Sequence, residues 1–385
     1  MLALTVSLVA MSTDVMLPAL GAIGADLGVA DINDTQLIVT SLFLGFGVGQ
    51  LFAGPLSDSF GRKRVIYVGF AVFIAGCLIS MLATNFTMMI VGRVLQGLGA
   101  AGPRVVPVAI VRDGYEGRAM ARIMSFVMAV FILVPTIAPA IGQWFYLAGG
   151  WRATFQLLLG MALLAVFWFG VRQPETLPAT RRRAFSVRNI ALGVVEVVGV
   201  RSAVGYTLCA GLIFGVFMSY LGTSRQVFQD VYDTGTAFPY YFGAAAITIG
   251  IGSIFNGQLV MRFGMRRIAF LAFLISSMLS AGFSVYVIAV GGLPPLMVFM
   301  TWLLATFSCM GFLFGNLNAL AMEHLGHIAG LGAAFIGFTS TMIALPLGWL
   351  IGQGFDGGVL FLTAGFAGLA FLGLIVMRVT EGRWG

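Results

Sequence analysis

Long apolar runs alternate with short polar turns along the whole chain. The runs lie near 1–20, 36–56, 65–84, 86–111, 122–147, 153–171, 203–222, 238–261, 268–290, 294–320, 328–352 and 357–377. A helix rises about 1.5 Å per residue, so roughly 20 apolar residues cross the ~30 Å hydrocarbon core of a bilayer. Twelve runs of that size predict twelve membrane-spanning helices and an all-α membrane protein. The longest polar gap, 172–202, opens with "RQPETLPATRRRAFSVRN" and has six runs on either side. It predicts two six-helix bundles, 1–173 and 203–385, joined by a linker over 174–202. Residues 184–201 mix apolar side chains with Arg188 and Glu196. That pattern suits either an interfacial helix or a flexible connection.

Composition agrees with a membrane protein. Charged residues make up 9% of the chain and hydrophobic ones 59%, against roughly 25% charged in a soluble domain. The net charge of +7 would fit nucleic-acid binding if the basic residues formed a patch, but they sort by loop. The even-numbered loops and the C-terminus hold 17 of the 21: Arg62, Lys63, Arg64, Arg112, Arg118, Arg122, Arg172, Arg181, Arg182, Arg183, Arg188, Arg201, Arg262, Arg266, Arg267, Arg378 and Arg383. The odd-numbered loops hold only Arg152 and Arg225, and the first of them carries Asp26, Asp31 and Asp34. Basic loops face the cytoplasm, so both termini are expected there, and nucleic acid is not an expected partner. The start, "MLALTVSLVAMSTDVMLPAL", has no basic lead and no small-residue cleavage site. It reads as the first span rather than a signal peptide, and Met1 is expected to be a truncated or reassigned start.

Several chemistries are poorly matched. Cys77, Cys209 and Cys309 lie far apart inside apolar runs and read as small buried hydrophobes. "GLGAAG" (97–102) sits inside a membrane helix rather than after a strand, so a dinucleotide site is not expected. Lys63 is followed by Arg64, not Ser or Thr, so there is no phosphate-binding loop. "EHLGH" groups Glu323, His324 and His327 without a further strong metal ligand. No enzyme activity, cofactor or metal is expected.

One charged corner occurs twice. "GPLSDSFGRKR" (54–64) and "GQLVMRFGMRR" (257–267) share an outline at a shift of 203 residues. Gly47, Gly49, Phe52, Gly54, Leu56, Phe60, Gly61 and Arg64 fall on Gly250, Gly252, Phe255, Gly257, Leu259, Phe263, Gly264 and Arg267. Both copies follow the second span of their half, so the halves are parallel repeats. That is the plan of a transporter that rocks about a site near the midplane.

These motifs resemble the major facilitator superfamily, whose loop between the second and third helices carries Gly-x-Leu-x-Asp-x-x-Gly-Arg-Lys/Arg. "GRVLQGLGAAG" (92–102) resembles the fourth-helix Arg-x-x-Gln-Gly motif of its proton-coupled drug exporters. "STDVMLPAL", "GQLFAGPLSD", "AIVRDGYEGRAMARIMS", "APAIGQWF", "WRATF" and "GHIAGLGAAFIGF" together resemble the bicyclomycin/chloramphenicol-resistance (Bcr/CflA) group. The resemblance covers residues 12 to about 356 and implies the major facilitator fold, in a bacterial inner membrane, exporting small lipophilic compounds against protons. A monomer in the lipid bilayer is expected, with a small-molecule substrate and protons as partners. Sugar or metabolite transport, and a non-transporting sensor on the same fold, are the rival functions. One fifth-helix motif departs from the exporters' Gly-Pro-x-x-Gly-Gly: here it reads Ala138, Pro139, Gly142 and Gln143.

The resemblance assigns gating to Gly54, Asp58, Gly61, Arg62, Arg112 and Asp113. In it, Asp58 pairs with basic residues and a neighbouring helix N-terminus, while Gly54 and Gly61 permit close approach and a tight turn. Topology anchoring is the rival role for the basic cluster. Met261 and Met265 stand where the first copy has Asp58 and Arg62, so the second latch is expected to be degraded.

Three ionisable residues lie within the runs, where charge is expensive and marks function. Asp14 is about six residues, or ~9 Å, from the outer end of its run, and Arg93 about seven, or ~10 Å. They are expected to pair or share a network, with Asp14 carrying the coupled proton and Arg93 tuning it; the rival readings are a solvated residue near the outer mouth for Asp14 and structural bracing for Arg93. Arg104, between Pro103 and Pro107, fits either substrate contact or snorkelling. Gln50, Gln96, Asn316 and Asn318 are candidate hydrogen-bonding groups of the cavity. Trp302 and Met310 are candidates for its apolar wall or for plain core packing. Two arginines and one aspartate favour neutral or zwitterionic substrates.

Overall fold

With no water in the bilayer core, each backbone polar group has to be satisfied within its own segment, which makes helices of the apolar runs. The computed structural model describes residues 1–115, 117–182 and 184–382. The side chains at 118, 121, 125, 128, 129, 131, 132 and 189 also lie outside the described set. Arg183, Arg383 and the side chain of Arg118, three of the counted basic residues, therefore fall outside it, as does Glu116.

The chain divides into two compact units, Met1–Ala191 and Leu192–Gly385. The first contains α1 (Leu2–Asp14), a 3-10 turn (Leu17–Ala19), α2 (Leu20–Asp26), α3 (Leu37–Phe60), α4 (Arg62–Met81), α5 (Phe86–Gly114) and α6 (Gly117–Arg172). α6 is one helix in name only. Its backbone leaves helical geometry at Gly149 and Gly150, the latter at φ 71°, and a left-handed residue of this kind favours glycine. The break gives arms over 117–148 and 151–172, matching the fifth and sixth apolar runs.

Helix α7 (Val187–Gly199) leads into the second unit, which holds α8 (Arg201–Arg225), α9 (Phe238–Phe263), α10 (Met265–Ala289), α11 (Leu296–Met322), α12 (Ala329–Gln353) and α13 (Leu360–Glu381). Among the described residues, eleven segments are long and apolar enough to cross a membrane, and one of them, Leu133–Arg172, contains the α6 break. Counted as two arms, it makes the twelve spans that the apolar runs predict. The stretch left open between interfacial helix and flexible connection is helical over Val187–Gly199.

One boundary needs correction. The first span continues through the 3-10 turn and α2 to Asp26, beyond the expected end near residue 20. Pro18 lies in that turn; it lacks an N–H to continue the α-helical ladder. Asp14 consequently lies midway along the span, deeper than the ~9 Å expected from the apolar run.

Packing inside each unit relies on close backbone approach, because lipid offers little hydrophobic drive between helices. A Cβ on Gly97 of α5 would stand 1.8 Å from the Leu42 carbonyl oxygen of α3, so only glycine lets these helices meet so closely. In the second unit, aromatic rings fill the interior. Trp302 stacks on Phe283 with centroids 5.1 Å apart and planes 4° apart, and it also meets Phe299 and Phe366.

Candidate functional site

The first polar cluster forms around Arg93, which is fully buried on α5. Its Nε donates to the Ile38 carbonyl of α3 at 3.0 Å, and Nη2 donates to the Ser12 carbonyl of α1 at 2.9 Å. Nη1 donates to Gln96 Oε1, and the Gln96 amide in turn donates to Cys77 Sγ of α4 at 3.1 Å. One guanidinium thus ties together α1, α3 and α5, and reaches α4 through Gln96. The Ser12 carbonyl is open for a local reason. α1 stops at Asp14, and a helix leaves its last-turn carbonyls without intrahelical donors. The negative end of the helix dipole also faces the cation there.

Asp14 is buried at 4% exposure. The expected direct pair with Arg93 is not formed. Carbonyl and amide oxygens take three of the guanidinium's N–H groups, and among the described residues Asp14 has no salt bridge. The link between the two is indirect, through Ser12, two residues before Asp14 on the same helix.

The second cluster stands at the basic end of the first unit. Arg62, 4% exposed, pairs with Asp58 at 2.5 Å and with Asp113 at 3.0 Å, and donates to Ser57 Oγ at 2.7 Å. Gly61 turns the chain between α3 and α4 at φ 99°, as the tight-turn reading expects. Glu175, from the segment after α6, caps α4. Its two carboxylate oxygens accept the backbone N–H groups of Arg62 and Lys63 at 3.0 and 3.1 Å. A carboxylate there satisfies orphan donors and complements the dipole. Lys63 Nζ donates to the Gly170 carbonyl at 3.1 Å.

Glu175 was absent from the sequence-based candidates. The available signal was a single acid in "RQPETLP", directly after a span and followed by three arginines. Two gating candidates stand apart from these contacts. A Cβ on Gly54 meets nothing within 4 Å, so Gly54 is not at a close helix approach. Arg112 is exposed and makes none of these contacts.

The second copy of the corner keeps its turn, with Gly264 at φ 77°. Met261 is exposed, and the Asp58–Arg62 pair has no counterpart at Met261 and Met265, but the corner carries ion pairs of its own. Arg266 pairs with Glu323 at 2.7 Å and Glu381 at 2.9 Å, and Tyr206 Oη donates to the same Glu381. The cation has moved to the repeat position of Lys63, and its acids come from the ends of α11 and α13. The "EHLGH" residues have structural partners: Glu323 with Arg266, His324 with Ser202 at 3.2 Å, and His327 with Glu196 of α7.

The remaining cavity candidates scatter. Gln96 belongs to the Arg93 cluster, and Gln50 is half-buried on α3. Arg104 lines a small pocket with Leu2, Val6 and Pro107. Asn316 exchanges amide hydrogen bonds with Asn256 of α9 at 2.8 and 3.2 Å; Asn256 was not foreseen. Asn318 is exposed and donates to the Phe314 carbonyl of its own helix. Met310 is fully buried. Trp302 donates to Ser280 Oγ at 3.3 Å beneath an apolar groove of about 670 Å³ between α10 and α11.

Comparison with known proteins adds a family. The chain matches the Major Facilitator Superfamily over residues 2–348. It is 28% identical over 382 residues to the uncharacterized MFS-type transporter YdgK of Bacillus subtilis (strain 168), covering 96% of this chain and 93% of that one. It is 31% identical over 277 residues to the bicyclomycin resistance protein homolog of Haemophilus influenzae, covering 69% and 67%. With multidrug resistance protein D of Escherichia coli (strain K12) it shares 28% over 228 residues, 57% and 58% of the two chains. Among solved structures it is similar to a D-xylose-proton symporter, with a TM-score of 0.76 at 14% identity over 98% of this chain and 96% of that one. At that identity the likeness is one of fold.

The Arg93 cluster predicts a sharp response to a conservative change. Lysine keeps the charge but not the planar fork, so Arg93→Lys loses at least one charge-assisted hydrogen bond. That costs about 1.5–3 kcal/mol. Thermal unfolding of the purified protein in detergent should drop measurably, and Cys77 should be alkylated faster as Gln96 is released. An unchanged melting curve and thiol rate would show that the cluster braces nothing.

Proposed function

We propose a function for a chain that belongs to the Major Facilitator Superfamily and is therefore a multi-pass membrane transporter, not an enzyme: it exports small lipophilic, neutral or zwitterionic compounds in exchange for protons. The observation that carries this reading is Asp14. It is a buried carboxylate midway along a span, at the point where α1 stops, two residues beyond the carbonyl that holds Arg93. Among the described residues the other acids lie at helix ends or in loops.

In this reading Asp14 is neutral while protonated and tolerates an apolar surrounding. Once ionised it requires water or a cation. Rocking of the bundles alternates those environments, so proton binding and substrate binding favour different states, and each expels the other. Arg93, held by α1, α3 and Gln96, supplies a fixed positive potential near the exchange site. Its charge disfavours dications as substrates. The names of the Haemophilus and Escherichia relatives support a drug-export role.

The basic ends of the spans are placed in the cytoplasm by the arginine and lysine bias, in a bacterial inner membrane, with a monomer as the working unit. Gating falls to the corner at that end. Asp58, Asp113 and Glu175 hold Arg62 and the start of α4, and a hydrogen-bonded charge cluster is costly to half-break. That gives a latch with two definite positions. The boundary between the bundles is placed in the 174–202 segment, whose Glu175 joins the latch.

Asp58→Asn should leave membrane expression unchanged and slow turnover about tenfold, the effect of one lost charge-assisted hydrogen bond. Normal turnover would return the corner to a topology anchor. Asp14→Asn should abolish accumulation of a neutral antibiotic such as a phenicol in inverted proteoliposomes under an imposed pH gradient. Downhill exchange of the same compound should survive, because rocking needs no net proton movement. Uphill accumulation by Asp14→Asn would place the proton elsewhere.

A further inference from the structure

Gln143 occupies the last position of the fifth-helix motif, where related exporters carry glycine. An amide is an expensive side chain at membrane depth, and a buried one needs hydrogen-bond partners. Gln143 is only 8% exposed, and its Oε1 is buried without a partner among the described residues. The departure from the motif thus places an unsatisfied acceptor inside the first unit.

The packing around it is specific. Ala138, Pro139, Gly142 and Gln143 form a buried stripe on the first arm of α6. Gly142 identifies what that stripe touches. A Cβ placed there would stand 1.8 Å from the Val15 carbonyl oxygen and 2.8 Å from Val15 Cα. The two backbones are therefore in direct contact, with Asp14 one peptide bond away on one side and Gln143 one peptide bond away on the other.

This contact falls where the first span is interrupted. α1 ends at Asp14, and the chain passes through Val15 and Met16 into the 3-10 turn Leu17–Ala19. Irregular backbone at membrane depth persists only when protein covers it, and the α6 arm supplies the cover. Gln143 Oε1 has no hydrogen-bond partner among the described residues, and Asp14 makes no salt bridge there. Arg93 donates to Ile38, Ser12 and Gln96 and makes no ion pair with Asp14. Of the elements packed on α1, α5 carries Arg93, Arg104, Arg112 and Asp113, and the described part of the α6 arm carries Arg122 near its start. None of these is paired with Asp14.

We propose that Gln143 is the positioning residue for the proton site: a rotamer change carries its amide, which makes no hydrogen bond to Asp14 in this structure, onto the Asp14 carboxyl across the Gly142–Val15 contact. This rests on Asp14 as the proton carrier. An amide suits both protonation states. Its oxygen accepts from the O–H of a protonated carboxyl, and its NH₂ donates to an ionised one. A glycine at this position could do neither. Proton uptake adds one O–H bond at Asp14, release removes it, and Gln143 itself gains and loses no proton.

The test is infrared difference spectroscopy on the full chain reconstituted in lipid, recorded as pH is varied without substrate. Asp14→Asn should delete one carboxyl C=O band, which identifies it. Gln143→Leu, nearly isosteric and without hydrogen-bonding groups, should retain that band. It should shift the band's frequency and move the pH of half-appearance by about one unit, the size expected for one hydrogen bond. Gln143→Gly, the residue of the related motif, should do the same and serves if the leucine variant does not fold. A folded variant with the Asp14 band unchanged in frequency and midpoint overturns the assignment of Gln143 while leaving Asp14 as the carrier. If Asp14→Asn deletes no band, the carrier assignment itself fails, and the role of Gln143 fails with it.

Discussion

A guanidinium can remain in the middle of a membrane bundle only if the bundle brings acceptors to it, and the first unit is organised around doing so for Arg93. Leaving such a charge without hydrogen-bond partners would cost several kcal/mol. Three helices therefore have to bring oxygen atoms to one point. α5 and α3 meet closely enough through Gly97 to offer the Ile38 carbonyl. α1 has to stop, because an intact helix would keep its Ser12 carbonyl within its own ladder. Asp14 is the residue at which it stops. The same break that completes the Arg93 cluster thus sets a carboxylate at mid-span, against the α6 arm.

The repeated corner shows how one backbone plan carries two charge arrangements. Gly61 and Gly264 both adopt positive φ, which a larger side chain would resist. In the first unit the cation follows the turn immediately as Arg62 and meets Asp58, Asp113 and the cap Glu175. In the second, Met265 holds that place and Arg266 takes the role one residue later, with Glu323 and Glu381. The paired cation thus stands one residue later in the second repeat, and each turn carries an ion pair. The two corners accordingly differ in strength: Arg62 is nearly buried, whereas Arg266 is more than a third exposed, and exposed pairs contribute little.

The spans were legible because apolar runs and their separating turns follow directly from bilayer thickness. The identity of Arg93 as a buried centre was also legible, since a charge inside an apolar run has few physical alternatives. Its partners were not. Two of them, Ile38 and Ser12, act through backbone carbonyls, and a carbonyl carries no signature in sequence. The depth of Asp14 was misjudged because α2 extends the first span with residues that apolarity alone does not mark. Glu175 escaped notice for a similar reason: it is an ordinary acid in a polar segment until the fold sets it on the N-terminus of α4. Asn256 required the approach of α9 to α11, which no local pattern announces.

Transport and proton movement meet, in this account, at one carboxylate whose surroundings are fixed by a buried arginine and an interrupted helix. The most direct measurement uses the unaltered protein in proteoliposomes with a trapped pH-sensitive dye and no imposed pH gradient. A gradient of a phenicol is then the only driving force. With Asp14 exchanging protons for substrate, the interior pH should change as the compound flows, protons moving opposite to it and the signal vanishing when a protonophore is added. Flow of the compound with no pH change, or with protons moving in the same direction, would contradict it.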